Sequence, residues 1–214
     1  MHIPVFFILI FQNLNPEVRQ AHSESIVEAD ASVFKFDCES RHATHLFGDG
    51  DGVAVDFVDE QIGEGEVWGA KPILRKASVG KIDEVIPSPL YKKSEVENEC
   101  TTLTLTFKGD YAIELRAYDN AAAYRFVSTR KGDYTVKNEV SEFEFAGDNT
   151  VIGSYVKFNR KGTGNAIEKQ YYNSFENIYF TQPMSKMDPE RLMFLPVLVE
   201  VGGKKVCITE SDLM

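Results

Sequence analysis

Cysteine is scarce: Cys38, Cys100 and Cys207 are widely spaced and odd in number. Such a set supplies neither a disulfide framework nor a CxxC-type zinc site, and small buried hydrophobes are the simpler use for it. Basic charge is short too. The chain carries 23 basic against 33 acidic side chains, a formal net charge of −10, and its pI is near 4.9. That balance disfavours the sequence-independent attraction to phosphate backbones and to anionic membrane surfaces, so neither nucleic acid nor membrane is an expected partner. Long apolar runs are missing. The N-terminal one, Ile3 to Phe11, is far below the roughly 20 residues of a membrane-spanning helix. Its length fits the apolar centre of a secretory signal with Ala21 near a cleavage region, although no Lys or Arg precedes it. Residues 1–21 are read as a signal-like segment, which implies a periplasmic or secreted protein; a buried N-terminal strand is the competing reading. Phosphate-loop, nucleophile-elbow and dinucleotide fingerprints are all missing, which removes those enzyme classes.

What is present is alternation. Thr102-Leu-Thr-Leu-Thr-Phe107 alternates polar and apolar, stops at Lys108-Gly-Asp110, and resumes as Tyr111-Ala-Ile-Glu-Leu-Arg-Ala-Tyr118, a hairpin around a three-residue turn. Asp119-Asn120 is a second turn, leading to Ala121-Ala-Ala-Tyr-Arg-Phe-Val127 and a break at Arg130-Lys-Gly-Asp133, so a meander is expected. Further strands are expected at Ser32 to Phe36, Val53 to Val58, Glu142 to Phe145, Ser154 to Phe158, and Leu192 to Val201, the last closed by Gly202-Gly203. Short strands at such spacing, with no helical stripe of three turns, predict an all-β antiparallel sandwich or barrel with little helix. At 214 residues the chain suits one large domain or at most two small ones, and residues 22–214 are read as one. One helical turn is expected at Asp188-Pro-Glu-Arg191, where Asp caps and Pro opens a first turn.

Few constellations carry chemistry. Asp49, Asp51, Asp56 and Glu60 suggest a calcium loop, but Val53 and Ala54 occupy positions where an EF-hand needs an oxygen ligand and a glycine, and a hairpin turn fits better. His42 and His45 would share a face of a helix, yet no adjoining Glu completes a zinc-protease motif, and surface histidines are expected. Cys100 has no base marked beside it. The most ligand-like stretch is Tyr171-Tyr-Asn-Ser-Phe-Glu-Asn-Ile-Tyr-Phe180. Its Tyr171, Tyr172 and Tyr179 are candidate stacking platforms for a sugar, against the reading of strand aromatics as core. No catalytic residue is assigned.

Six segments together resemble the N-terminal β-sandwich domain of glycoside hydrolase family 97, the bacterial α-glucosidases and α-galactosidases of Bacteroidetes. They are Ile82-Asp-Glu-Val-Ile-Pro-Ser-Pro-Leu-Tyr91, Leu103 to Phe107, Tyr111 to Asp119, Ala123-Tyr-Arg-Phe126, Val140-Ser-Glu-Phe-Glu-Phe145, and Leu195-Pro-Val-Leu-Val199 with Val206-Cys-Ile-Thr-Glu-Ser-Asp-Leu213. Arg116 to Asn120 with Tyr124 to Phe126 is the most specific piece; residues 22–79 match poorly. The resemblance implies a galactose-mutarotase-like super-β-sandwich that precedes a (β/α)8 barrel carrying the catalytic carboxylates. It implies that the sandwich continues beyond Met214 and that the early stop leaves a sheet edge unpaired. It also implies a calcium ion shared with the barrel, for which Glu210 is the matching ligand; tight calcium binding by this chain alone is not expected. The implied function is noncatalytic: binding an α-glucoside or α-galactoside, docking the barrel, or both. One piece of a split α-glycosidase and a stand-alone sugar-binding module are the alternatives.

Overall fold

The computed structural model describes residues 6–12, 26–29, 32–37, 42–47, 52–62, 66–90, 92–157, 170–171 and 176–211. In chain order the strands are β1 (Phe6–Gln12), β2 (Ile26–Ala29), β3 (Ser32–Asp37), β4 (His42–Phe47), β5 (Gly52–Ile62), β6 (Glu66–Trp68), β7 (Leu74–Pro87) and β8 (Glu95–Phe107). They continue as β9 (Tyr111–Tyr118), β10 (Ala121–Ser128), β11 (Val136–Phe145), β12 (Thr150–Tyr155), β13 (Phe180–Pro183), β14 (Met193–Val201) and β15 (Lys204–Ser211). Among the described residues they build two antiparallel sheets. The large one runs β13-β12-β14-β15-β1-β10-β9-β8-β7 and the small one β11-β5-β4-β3-β2, with β6 paired to β5.

The alternation read from the sequence selects the core. On β8, Leu103, Leu105 and Phe107 are buried, and Leu103 and Leu105 pair with Leu115 and Ile113 of β9. Those two pair in turn with the buried Tyr124 and Phe126 of β10. Because side chains alternate between faces, one apolar surface crosses all three strands. The small sheet covers it: β2 and β3 lie against β8 and β9, and Trp68 of β6 and Phe145 of β11 enter the same core cluster. Tyr111 stacks between Trp68 and Phe107, with ring centroids 5.5 Å and 5.1 Å away and interplanar angles of 12° and 13°. Its hydroxyl accepts the Gly69 N–H at 3.3 Å. The alternating pattern is met by a sandwich or a barrel alike; two separate sheets among the described residues make this the sandwich that the family resemblance implies.

Several local readings change. After β10 the meander ends, because β11 leaves for the small sheet and pairs with β5. The strand expected at Ser154 begins at Thr150, and Phe158 lies outside the described residues. Asp188 to Arg191 forms a hydrogen-bonded turn, with Arg191 N–H donating to the Asp188 carbonyl at 3.2 Å and Glu190 N–H to its Oδ1 at 3.0 Å. A short 3-10 turn occurs instead at Met184–Lys186. A side chain that bonds its own following backbone competes with helix propagation. His42 and His45 lie on β4, where positions three apart fall on opposite faces. β4 and β5 pair on either side of the glycine-aspartate stretch, as a hairpin turn requires; residues 48–51 themselves lie outside the described residues. Gly202 and Gly203 sit at φ 54° and 76°, the mirror-image turn that a two-residue hairpin needs. Phe6–Gln12, within the signal-like segment, is a strand between β10 and β15.

Trp68→Ala removes one wall of the Tyr111 stack, and a loss of about 3–5 kcal/mol in denaturant unfolding is expected, against about 1 kcal/mol for Tyr111→Phe, which deletes only the hydroxyl bond.

Candidate functional site

Register brings the two sequence-predicted features to one end of the large sheet. Tyr155, at the end of β12, pairs with Met193 at the start of β14, while Phe180, at the start of β13, pairs with Gly153. Glu210 lies one residue before the end of β15, opposite Phe7 of β1. Tyr179 immediately precedes β13, three strands from β15, or about 14 Å across the sheet at normal strand spacing. Tyr171 follows Gln170, whose buried side chain donates to the Glu190 carbonyl at 2.6 Å and accepts the Leu192 N–H at 2.9 Å, just ahead of β14. Tyr171 and Tyr179 are 57% and 59% exposed, and Ile178 beside Tyr179 is 86% exposed. Tyr172 lies outside the described residues.

The exposed segment is held from beneath. Tyr155 stacks on Phe180 at 4.5 Å, and the Arg191 guanidinium sits 4.4 Å from the Tyr155 ring centroid on its way to donate to the Val156 carbonyl at 2.8 Å. The Tyr155 hydroxyl accepts the Asp188 N–H at 2.9 Å and the Gln182 amide at 3.2 Å. Asn177 donates to the Tyr155 carbonyl at 2.9 Å, and Ser154 donates to the Ile178 carbonyl at 3.3 Å. Gly153 lets Phe180 close down: a Cβ there would lie 3.3 Å from the Phe180 ring and 3.4 Å from the Met193 sulfur. Polar side chains, of which Ser154 and Gln170 are buried, thus satisfy an irregular backbone that no ladder serves. The anchors Ser154, Tyr155, Gln170, Asn177 and Arg191 hold the described parts of this stretch while Tyr171, Ile178 and Tyr179 stay in solvent.

Glu210 is half-buried, and burial pushes its carboxyl above the usual range. Desolvation of this kind makes the carboxylate a willing ligand for a cation. It does not make a site, since no group of three or more His, Cys, Asp or Glu side chains converges among the described residues.

The reverse face of β8 to β10 carries a polar network that the sequence reading missed. Glu114 accepts from Arg116 Nε at 2.7 Å and from Arg125 Nη2 at 3.1 Å. Burial works against its charge, but the two arginine hydrogen bonds, reinforced by the arginine charges, hold its carboxyl below the ordinary value. Alongside, Tyr118 donates to Asn98 at 3.0 Å, and Asn98 donates to Glu84 at 2.7 Å. Burial raises the Cys100 thiol above its ordinary value, and the neighbouring Tyr118 hydrogen bond only partly offsets it, which leaves a poor nucleophile. A signal for the network was present. A two-residue turn at Asp119-Asn120 pairs Tyr118 with Ala121 and therefore Glu114 with Arg125, as observed, and Arg116 is two residues from Glu114 on the same face.

Together these features define an all-β, two-sheet sandwich presenting one elaborated sheet end. Residues 52–214 match the family described as Glycosyl-hydrolase 97 N-terminal, and the chain belongs to it. It is 48% identical over 150 residues to the retaining alpha-galactosidase of Bacteroides thetaiotaomicron, covering 70% of this chain and 22% of that protein. A Glycoside Hydrolase Family 97 enzyme from Pseudoalteromonas sp., solved as a variant, superposes with a TM-score of 0.62 at 14% identity, over 83% of this chain and 27% of the other. The same enzyme in complex with acarbose gives a TM-score of 0.62 at 15% identity and the same coverage. At that identity the likeness concerns the fold, and the chain spans about a quarter or less of these relatives.

Two carboxylates make opposite predictions for pH. Glu114, held low in the folded state, contributes stability above the unfolded carboxyl pKa of about 4.3 that is lost as pH falls through its folded value, so Glu114→Gln should cost about 1–3 kcal/mol near pH 7 and much less in acid. Glu210, held high, favours folding below about pH 4.3 and loses that contribution as pH rises through its folded value, so Glu210→Gln should raise the unfolding midpoint near pH 7 and leave it unchanged near pH 3. Denaturant titrations at the two pH values distinguish them.

Proposed function

We propose that this chain acts as a noncatalytic N-terminal module of a family 97 glycoside hydrolase, and that the sheet end bearing Glu210 and the Tyr171 to Tyr179 segment docks a catalytic barrel. Membership of the family supports this reading, and one observation carries it: a half-buried carboxylate shares a sheet end with exposed Tyr171, Ile178 and Tyr179. A rigidly held apolar rim suits a domain interface, and a desolvated carboxylate at its margin suits a cation whose other ligands come from elsewhere. Glu210 is accordingly proposed as this chain's one ligand to a shared calcium ion. The relative's name, a retaining alpha-galactosidase, favours α-galactosides as substrates of the whole protein. In that chemistry one carboxyl group attacks and another donates a proton, and both are proposed to lie outside this chain.

A second reading makes the same tyrosines a sugar platform, favoured by the exposure of Tyr171 and Tyr179. Aromatic faces of that kind stack on pyranose rings while nearby amides bind hydroxyls.

Isothermal titration separates the two. For a docking module, the chain alone binds calcium no more tightly than about millimolar. It binds maltooligosaccharides and α-galactosides without saturation. A separately produced family 97 barrel associates with it in a calcium-dependent way, about tenfold more weakly with Glu210→Gln. Saturable sugar binding abolished by Tyr171→Ala with Tyr179→Ala establishes the sugar module instead. Calcium-independent association, unaffected at Glu210, removes the proposed ligand.

A further inference from the structure

The large sheet has one joint. Its strand order places β1 between β15 and β10, so among the described residues no other ladder connects the half containing β13, β12, β14 and β15 to the half containing β10, β9, β8 and β7. β1 pairs with β15 along its whole length, Phe6 with Ser211 through Gln12 with Lys205, and with β10 from Phe7 with Tyr124 to Ile10 with Ala121. Without it, β15 and β10 would stand two strand spacings apart, about 9.6 Å, with both edges unpaired.

The composition of both walls matches the strand between them. Alternate positions 7, 9 and 11 of β1 are in register with the core residues Tyr124, Ala122, Ile208 and Val206, and with Glu210 at the rim. The intervening positions 8 and 10 are in register with Ala123, Ala121, Thr209 and Cys207. Both wall sets are small or apolar apart from that rim carboxylate, and beside the buried Ala122, Ile208 and Val206 a charge at position 9 or 11 would find no wall residue to pair with. Phe6-Phe-Ile-Leu-Ile-Phe11 has no polar residue and no alternation, the pattern of a strand with neighbours on both edges and cover on both faces. The family match begins at residue 52 and so does not include this strand.

We propose that the slot between β10 and β15 is a strand-binding site, and that its ligand is the chain's own Phe6–Gln12. The recognition is β-augmentation on two edges at once, backbone hydrogen bonds supplying affinity and the apolar walls selecting an uncharged segment. A chain from which residues 6–12 had been removed would present the slot to another extended apolar segment.

Hydrogen exchange on the intact 214-residue protein, with its N-terminus confirmed by mass, tests this directly. Amides of residues 7–11 should be protected at least about 100-fold over free-peptide rates, as a paired interior strand requires. In a chain of residues 22–214, the amides of β10 and β15 should lose protection while those of β8 and β9 keep it. A synthetic Phe6–Gln12 peptide with a C-terminal lysine tail should restore them. Should the shortened chain fail to fold, Leu9→Pro in the full chain carries the same comparison, since it deletes one ladder donor. Free-peptide exchange at residues 7–11 in the intact protein, with β10 and β15 still protected, would overturn the proposal. So would undiminished protection of β10 and β15 in the 22–214 chain without peptide.

Discussion

Everything else hangs on the apolar face that β8, β9 and β10 share. Leu103, Leu105, Phe107, Ile113, Leu115, Tyr124 and Phe126 are excluded from water together, and each is placed by the period of two along its own strand. A face that size is stable only when covered, and the small sheet covers it from β2, β3, β6 and β11. Once the two layers are fixed, the strand ends are fixed with them, and so is the place where loops can be elaborated. The aromatic stack of Trp68, Tyr111 and Phe107 adds a rigid anchor between the layers, because β6 belongs to one sheet and β8 and β9 to the other.

The other face of the same three strands follows a different logic. Glu114, Arg116 and Arg125 are largely withdrawn from water there, and Glu114 is answered by the two arginines, while the buried Asn98 is answered by Tyr118 and by the exposed Glu84. Such a network specifies register, since a slip of one residue would leave an arginine or a carboxylate desolvated and unpaired. The family-like segment from Arg116 to Phe126 is thus a structural device. Glu210 is the contrast, a carboxylate at a strand end that burial works against with no opposing cation in its surroundings among the described residues. Its energetic position fits a group that waits for a charge from outside, the role proposed for it.

The sheet end on β12, β13 and β14 shows how rigidity and exposure coexist. Gln170, Asn177, Ser154 and the Tyr155 hydroxyl satisfy backbone groups of the irregular chain, which leaves Tyr171, Ile178 and Tyr179 free to face solvent. A backbone already fixed pays no further ordering entropy when its exposed side chains are covered, so only their rotamer freedom is lost, which is the property a docking surface needs.

Sequence alone determined the local pattern. The hairpin of β8 and β9 around Lys108 to Asp110, the turn at Asp119-Asn120 and the Gly202-Gly203 hairpin were all legible, because alternation and turn chemistry act between near neighbours. The register of Glu114 against Arg125 was legible too, once that turn is folded through. Strand order was not. The departure of β11 to the small sheet, the insertion of Phe6–Gln12 between β10 and β15, and the placing of Glu210 and the Tyr179 segment at the same sheet end depend on residues far apart in the chain. An apolar run such as residues 6–11 satisfies a signal segment and a doubly paired strand equally well by composition. Only the tertiary structure supplies the two edges that give it a partner, because pairing is a property of the neighbours and not of the strand.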